Sequence, residues 1–253
     1  MTGRAWIGWG ILLGFALGGF FDGILLHQIL QWHHLLSLVA GVDGLRAQLL
    51  WDGYFHALMY LLAAAALWGM WRNRLRVQGQ GGRLLAGALL AGFGLWHVVD
   101  ALLAHWLLGI HRIRLDAADP LLWDLLWLAL FGLLPLVVAW PLLRAGPTAG
   151  TGRGEGTMAV LLAGLVAVGA AIWSLQAPPD GRFTTIVFAP QVTPAEAMNA
   201  VVAVDGRLVW SDPAMSVVVA DVPAADAWHF YRRGALLVGG PGLPVGCLAW
   251  GRV

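Results

Sequence analysis

The sequence predicts an α-helical membrane protein: a four-helix transmembrane bundle, a fifth transmembrane helix and a C-terminal ferredoxin-like α+β domain. Composition gives the class, because 59% of the 253 residues are hydrophobic and only 11% are charged, whereas soluble domains carry about a quarter charged residues. Five apolar stretches reach the roughly 20 residues that a helix needs to cross the hydrocarbon core. After residue 176 the pattern changes to short strands and helices, which indicates a separate folded domain.

Charge and cysteine content exclude several classes of function. All 15 basic residues are Arg and the net charge is +1, so nucleic-acid binding has no electrostatic support and the lipid bilayer is the expected partner. The single cysteine, Cys247, excludes an intramolecular disulfide and a thiolate zinc cluster. Any site chemistry must therefore depend on the eight His and fourteen acidic residues.

The apolar stretches and their flanking arginines predict the topology. The expected membrane helices cover residues 5–34, 49–71, 84–110, 121–143 and 157–175. Arginine is concentrated before the first helix and in the second and fourth loops, which by the positive-inside tendency predicts a cytoplasmic N-terminus. The protein is therefore expected to be a multi-pass protein of a bacterial inner membrane with a periplasmic C-terminal domain. No internal repeat is apparent in the sequence.

The C-terminal region predicts the ferredoxin-like fold. Strands are expected at 184–189, 208–210, 215–220 and 235–238, with one helix capped by Thr193 and Glu196 and another from Pro223 to about Arg233. The order βαββαβ is that of a ferredoxin-like module. The expected division is 1–145 for the four-helix bundle, 146–176 for a linker and the fifth helix, and 177–253 for the domain. Its expected role is docking or regulation, with other subunits of a membrane complex as the expected partners.

Ionisable residues inside the predicted helices are the main functional signal. Such residues are costly in lipid and usually face the interior of a bundle together with a partner. Treated as α-helical, His27, Gln31 and His34 share one face of the first helix, and Asp22 and His33 share another. Asp52 and His56 are one turn apart, as are His97 and Asp100, whose face His111 shares about 20 Å further along by helix rise.

Most of these residues fall near one end of the predicted bundle, which favours a transition-metal site at the outer membrane surface. Imidazole and carboxylate ligands suit copper or iron first, with zinc as an alternative. The predicted metal ligands are His27, His33, His34, Asp52, His56, His97, Asp100, His105 and His111. Asp22, Gln31 and Asp124 are expected either to contact the metal ligands from outside or to form a proton relay.

Haem is a second cofactor hypothesis. His97 and His111 are fourteen residues apart on one predicted helix, a spacing that resembles the axial ligands of membrane cytochromes with two haems. The first helix has no matching pair, because its histidines are six and seven residues apart.

Three segments carry a family resemblance: the run from Gly19 to His34, the segment Asp52 to His56, and the segment Asp100 to His111. The first reads GFFDGILLHQILQWHH. Together they resemble a family of bacterial predicted integral membrane proteins of unknown function, over about residues 5–145. The resemblance implies a multi-helix membrane bundle and no established activity.

The sequence thus favours an integral membrane protein that binds a transition metal. Its expected role is metal handling, or assembly and support of a redox or respiratory complex. A membrane metal-dependent oxidoreductase with the same ligands is the first alternative. A haem-binding or purely structural subunit of a larger complex is the second.

Overall fold

A computed structural model describes residues 3–42, 44–74, 81–144, 161, 183–223 and 225–239. Its described residues form two compact units. One contains the helices up to Arg144 except the segment Gly41–Leu50, and the other contains that segment and the sheet. The predicted fifth membrane helix, apart from Leu161, lies outside the described residues, and so does Cys247.

Four helices among the described residues are long and apolar enough to cross a membrane. They cover Ala5–Gln28, Leu45–Asn73, Gly82–Leu107 and Pro120–Arg144. The regular α-helices within them are α1 (Gly3–Asp22), α2 (Leu45–Asn73), α3 (Gly81–Asp100), α4 (Pro120–Trp127) and α5 (Leu134–Arg144). The predicted helical membrane class is therefore confirmed for this part of the chain.

Three π-helical segments interrupt the membrane helices. Gly23–Ile29 directly continues α1, Ala101–Leu107 directly continues α3, and Leu128–Leu133 joins α4 to α5. The first two end in the same way, with a residue in the left-handed region: Gln31 at φ 53° and Gly109 at φ 63°. The prediction that the first and third helices continue to His34 and Ile110 is therefore wrong, because the chain leaves the helix earlier.

α1 and α3 pack against each other along glycines that leave no room for a side chain. A Cβ atom on Gly14 would overlap the carbonyl of Leu89, and one on Gly92 would overlap the carbonyl of Ile11. These contacts are reciprocal, because positions 14 and 11 in α1 correspond to positions 92 and 89 in α3, 78 residues later. Such reciprocity is expected of two repeats related by an approximate two-fold axis between the helices.

The C-terminal unit contains a four-stranded antiparallel sheet in the order β2-β3-β1-β4. Its strands are β1 (Phe183–Phe188), β2 (Arg207–Ser211), β3 (Val217–Asp221) and β4 (Ala235–Gly239). Helix α6 (Pro194–Val202) connects β1 to β2, and a 3₁₀-helix (Ala227–Arg233) connects β3 to β4. One side of the sheet packs on these helices through Ile186, Phe188, Ala197, Val201 and Phe230.

The cap signals in this unit are confirmed. Thr193 and Glu196 form the predicted capping box at the start of α6. Hydrogen bonds from the backbone N–H and the hydroxyl of Thr193 lower the pKa of the exposed Glu196 carboxyl. Gly234 ends the 3₁₀-helix in the left-handed conformation at φ 88°, which glycine adopts without a steric cost. The predicted helix from Pro223 is a shorter 3₁₀-helix that begins at Ala227.

Candidate metal centre

Two groups of buried side chains in the helical unit have the geometry of metal-ligand sets. Group A is Asp22, His27 and His33, and group B is Asp100, His105 and His111. In each group, one oxygen or nitrogen atom from every residue lies within 4.8 Å of the others. All six side chains are buried.

The two groups have the same sequence pattern. An aspartate is followed by histidines five and eleven residues later, and the whole pattern recurs after 78 residues. The prediction that the chain has no internal repeat is therefore wrong at this site. The similarity is hard to find by eye, because most residues between these positions are interchangeable apolar ones.

The π-helical segments explain how an aspartate meets a histidine five residues later. In an α-helix, residues five apart point in directions about 140° apart, and this is why α-helical geometry separates Asp22 from His27. The i→i+5 hydrogen bonds of a π-helix bring such residues onto one face. Both π segments begin immediately after the aspartate, at Gly23 and Ala101, so the irregular geometry falls between the residues that must meet.

His33 and His111 lie in the loops that follow the π segments, where each ring is fixed by the other repeat. His33 Nδ1 donates to the carbonyl oxygen of Ile113 at 2.9 Å, and His111 Nδ1 donates to that of Leu35 at 2.9 Å. A carbonyl can only accept, so Nδ1 must carry the proton in both rings. In the neutral ring, the lone pair is then on Nε2, and both Nε2 atoms are buried without a hydrogen bond.

Burial also favours the neutral form of His33. It lowers the pKa of this imidazole well below its usual value, and the neighbouring His111 and His27 lower it further. The neutral imidazole is the form that binds a metal.

Asp52, in the N-terminal part of α2, contacts His27, the histidine of group A that lies in the π segment. Its Oδ1 lies 3.0 Å from His27 Nδ1, at an angle too poor for a hydrogen bond. The same carboxylate accepts from His34 Nδ1 at 2.7 Å and from the backbone N–H of Leu35 at 2.9 Å. Asp52 thus connects the start of α2 to the loop after the first membrane helix.

Asp124, in α4, has the same role in group B. Its Oδ1 lies 3.1 Å from His105 Nδ1, and it accepts from Arg112 at 2.7 Å and from the backbone N–H of Ile113 at 3.0 Å. Arg112 occupies the position that corresponds to His34. Asp124 is completely buried, so these contacts compensate a charge that water cannot reach.

The four histidine rings form a continuous cluster. His33 and His111 stack with 4.5 Å between ring centroids and 10° between planes. His27 lies 4.7 Å from His33, and His105 lies 4.9 Å from His111. The ends of two helices and two loops therefore meet in one polar cluster between the repeats.

The remaining predicted ligands lie outside both groups. His97 donates from Nδ1 to the Phe93 carbonyl at 2.9 Å and lies among aromatic rings that include Trp127. His56 stacks on Phe20, with its Nε2 directed toward Gly23.

Two helical relations expected from the sequence are wrong. Gln31 and His34 lie beyond the last π-helical residue, Ile29, and so do not extend a helical face with His27. His111 lies beyond the end of the third membrane helix at Leu107 and returns to within 3.3 Å of Asp100, instead of lying about 20 Å further out. The fourteen-residue haem spacing from His97 therefore does not exist on one helix.

Sequence reasoning missed three features of this centre. It found neither the 78-residue repeat nor the crossed backbone acceptors at Leu35 and Ile113, and it assigned Arg112 to a loop rather than to a contact with Asp124. The first had a detectable signal in the spacing of Asp22, His27 and His33. The backbone acceptors had none, because any residue supplies a carbonyl group.

Comparison with known proteins identifies the family of this chain but does not indicate an activity. No curated protein and no solved structure matches the chain. The family model described as "Predicted membrane protein (DUF2243)" matches residues 9–146, a range that includes both repeats and every residue of groups A and B. The chain therefore belongs to this family of predicted membrane proteins.

Proposed function

We propose that this protein binds a transition metal in the His/Asp centre and acts in metal handling, or in the assembly and support of a redox or respiratory complex. The observation that carries the proposal is the pair of buried Nε2 atoms on His33 and His111 that have no hydrogen bond. Leaving a buried polar atom unsatisfied costs about 1–3 kcal/mol. A bound cation removes this cost.

The surroundings of the rings support binding of a metal. A ligating histidine usually donates its other ring N–H to a carbonyl or a carboxylate, which fixes its orientation. His33 and His111 have carbonyl partners, and His27 and His105 have the carboxylates of Asp52 and Asp124. Each histidine of the two groups thus has an oxygen acceptor next to its Nδ1, a hydrogen-bonded carbonyl for His33 and His111 and a carboxylate at 3.0–3.1 Å for His27 and His105.

Copper and iron are the metals proposed first, and zinc is the alternative. The donor set is nitrogen and carboxylate oxygen without thiolate, which suits these ions. Each group supplies two histidines and one carboxylate, and so leaves coordination positions for water or a substrate. That donor set is typical of non-haem iron oxygenases and favours an oxidoreductase as the second candidate function.

The arginine distribution supports a bacterial inner-membrane location with the N-terminus in the cytoplasm. In this orientation the metal centre is near the periplasmic face and the C-terminal domain is in the periplasm. The strand order β4-β1-β3-β2, with helical connections after β1 and β3, supports a ferredoxin-like domain. We propose that this domain docks onto other subunits.

The test is the metal content of the full chain purified in mild detergent, measured by elemental analysis together with an optical spectrum. The wild-type protein is expected to contain stoichiometric copper, iron or zinc, as purified or after reconstitution. The double variant His33→Gln/His111→Gln is expected to lose it. The matched control is His229→Gln, a half-exposed histidine of the C-terminal unit, which is expected to retain the metal.

Two results would contradict metal binding at this centre. One is a wild-type protein that binds none of the three metals after reconstitution, which would favour a structural subunit. The other is a double variant that keeps the metal. A Soret band in the wild-type spectrum would replace the metal-ion proposal with haem.

A further inference from the structure

We propose that the chain binds two metal ions as a neighbouring pair, one in group A and one in group B. This inference rests on the proposed metal function and adds the number and arrangement of the ions. It identifies the centre as dinuclear, with two first-row divalent transition ions as its occupants.

The first argument is that the two groups are separate and have identical composition. Each consists of one aspartate and two histidines, and no residue belongs to both. Three protein ligands plus water or substrate is a common coordination for a catalytic or exchangeable metal. Each group can therefore hold an ion without borrowing a ligand from the other.

The second argument is that the outer contacts of the histidines are closely similar in the two groups. The outer carboxylates lie 3.0 Å and 3.1 Å from the π-segment histidines His27 and His105. The loop histidines have 2.9 Å hydrogen bonds to backbone carbonyls of the opposite repeat. The diagonal ring separations are 6.4 Å for His27 and His111, and 6.5 Å for His33 and His105. The arrangement that orients the histidines of one group is thus repeated in the other.

The third argument is charge. Asp22 and Asp100 are both buried. Asp22 Oδ1 has no hydrogen bond, and the close partners of Asp100 are ring nitrogens of its own group, His105 Nε2 at 2.9 Å and His111 Nε2 at 3.3 Å. A single ion held on the two-fold axis by His33 and His111 would leave two buried carboxylates to share one cation. A buried charge without a close partner is strongly unfavourable. One divalent ion in each group gives each carboxylate its own counter-charge.

The fourth argument is proximity. His33 belongs to group A and His111 to group B, and their rings stack at 4.5 Å. Ligands of the two ions are therefore in direct contact. Two-metal sites in enzymes likewise hold their ions close together, about 3.5–4 Å apart.

The experiment uses the full chain in detergent, stripped of metal and titrated with Co²⁺ and, separately, with Zn²⁺. Elemental analysis after removal of excess metal is expected to give two ions per chain. The paramagnetic resonance spectrum of the fully loaded Co²⁺ form is expected to show magnetic coupling between neighbouring ions. The half-loaded form is expected to show the signal of an isolated ion.

Two matched variants assign the ions to the groups. Asp22→Asn/His27→Gln removes two ligands of group A, and Asp100→Asn/His105→Gln removes their counterparts in group B. Each is expected to bind one Co²⁺ per chain and to lose the coupled signal. Asp52 and Asp124 keep their contacts to Leu35 and Ile113 in these variants, so the loops retain those anchors.

The outcomes separate this inference from the function on which it rests. Two coupled ions in the wild type support the pair, and one ion in each variant supports its assignment. One ion in the wild type would overturn the pair and leave the metal function intact. No ion would overturn both. Loss of both ions from either variant would overturn the assignment of one ion to each group. The wild-type stoichiometry and spectrum decide the matter even where a variant does not fold.

Discussion

Asp52 and Asp124 are the residues that connect each group to the rest of the bundle. Each carboxylate lies next to a π-segment histidine. Each also accepts a hydrogen bond from a second side chain, His34 or Arg112, and one from a backbone N–H in the loop that follows the π segment. Neither belongs to the groups whose ligand atoms converge. We therefore interpret both as positioning residues, whose effect on a metal passes through His27 and His105.

Asp52→Asn is expected to weaken metal binding about 10- to 100-fold, the usual effect of losing an outer partner of a ligating histidine. The amide keeps the size of the side chain but removes the charge that faces His27. Affinity is measured by competition with a chelator of known strength. Asp116→Asn is the control, because Asp116 is exposed and its side chain pairs with Arg114; it should bind like the wild type. Wild-type affinity in Asp52→Asn would contradict the positioning role.

At the scale of elements, the position of the π-helical segments decides which residues meet. An uninterrupted α1 would direct Asp22 and His27 to different sides of the helix. The change of helix type immediately after Asp22 and Asp100 brings both aspartates onto the face of their histidines. π-helical segments are frequently found at functional sites, and their occurrence at both groups agrees with this tendency.

The contact between α1 and α3 predicts a sensitivity to small substitutions. A Cβ atom at position 92 would overlap the Ile11 carbonyl and lie 2.6 Å from the Phe15 nitrogen. Gly92→Ala is therefore expected to destabilise the protein by at least about 1–3 kcal/mol, the usual cost of overpacking. The measurement is the thermal unfolding midpoint of the full chain in detergent.

Gly8→Ala is the matched control in α1, because a Cβ atom at that position would meet nothing within 4 Å. Alanine also favours a helix over glycine by up to about 1 kcal/mol, so the midpoint of this variant should not fall. Equal midpoints for Gly92→Ala and Gly8→Ala would show that the close approach of the two helices does not contribute to stability.

At the scale of the helical unit, the first and third membrane helices repeat the same arrangement, an α-helix followed by a π segment and a loop that carries a histidine. Repeats with an even number of membrane helices enter from the same side and are related by an axis along the membrane normal. α1 and α3 consequently run in the same direction, and the loops after both π segments meet at one end. This arrangement explains how residues 78 positions apart form one centre.

Membrane orientation is tested with single cysteines in a Cys247→Ser background. Asp116→Cys, in the loop before α4, is expected to react with a membrane-impermeant maleimide applied to intact spheroplasts. Arg72→Cys, near the end of α2, is expected to react only after the membrane is permeabilised. Both positions are exposed, so the difference depends on the side of the membrane. The reverse labelling pattern would place the metal centre on the cytoplasmic side.

The membrane class, the four apolar helices and the local cap signals follow from the amino-acid sequence alone. These features depend on composition and on patterns within about 20 residues, which can be recognised without knowledge of the fold. The sequence also identifies the polar residues that become buried, because an ionisable group in an apolar helix needs a polar or charged partner whatever the fold.

Which of those residues come into contact depends on the three-dimensional fold. Regular α-helical geometry separates Asp22 from His27 and places His111 far from Asp100, yet the π segments and the turns at Gln31 and Gly109 bring them together. The crossed hydrogen bonds to Leu35 and Ile113 depend on backbone atoms, which carry no sequence signal. Departures from regular helices and contacts between distant segments are products of packing, and for that reason the convergence of the residues within each group appears only in the folded molecule.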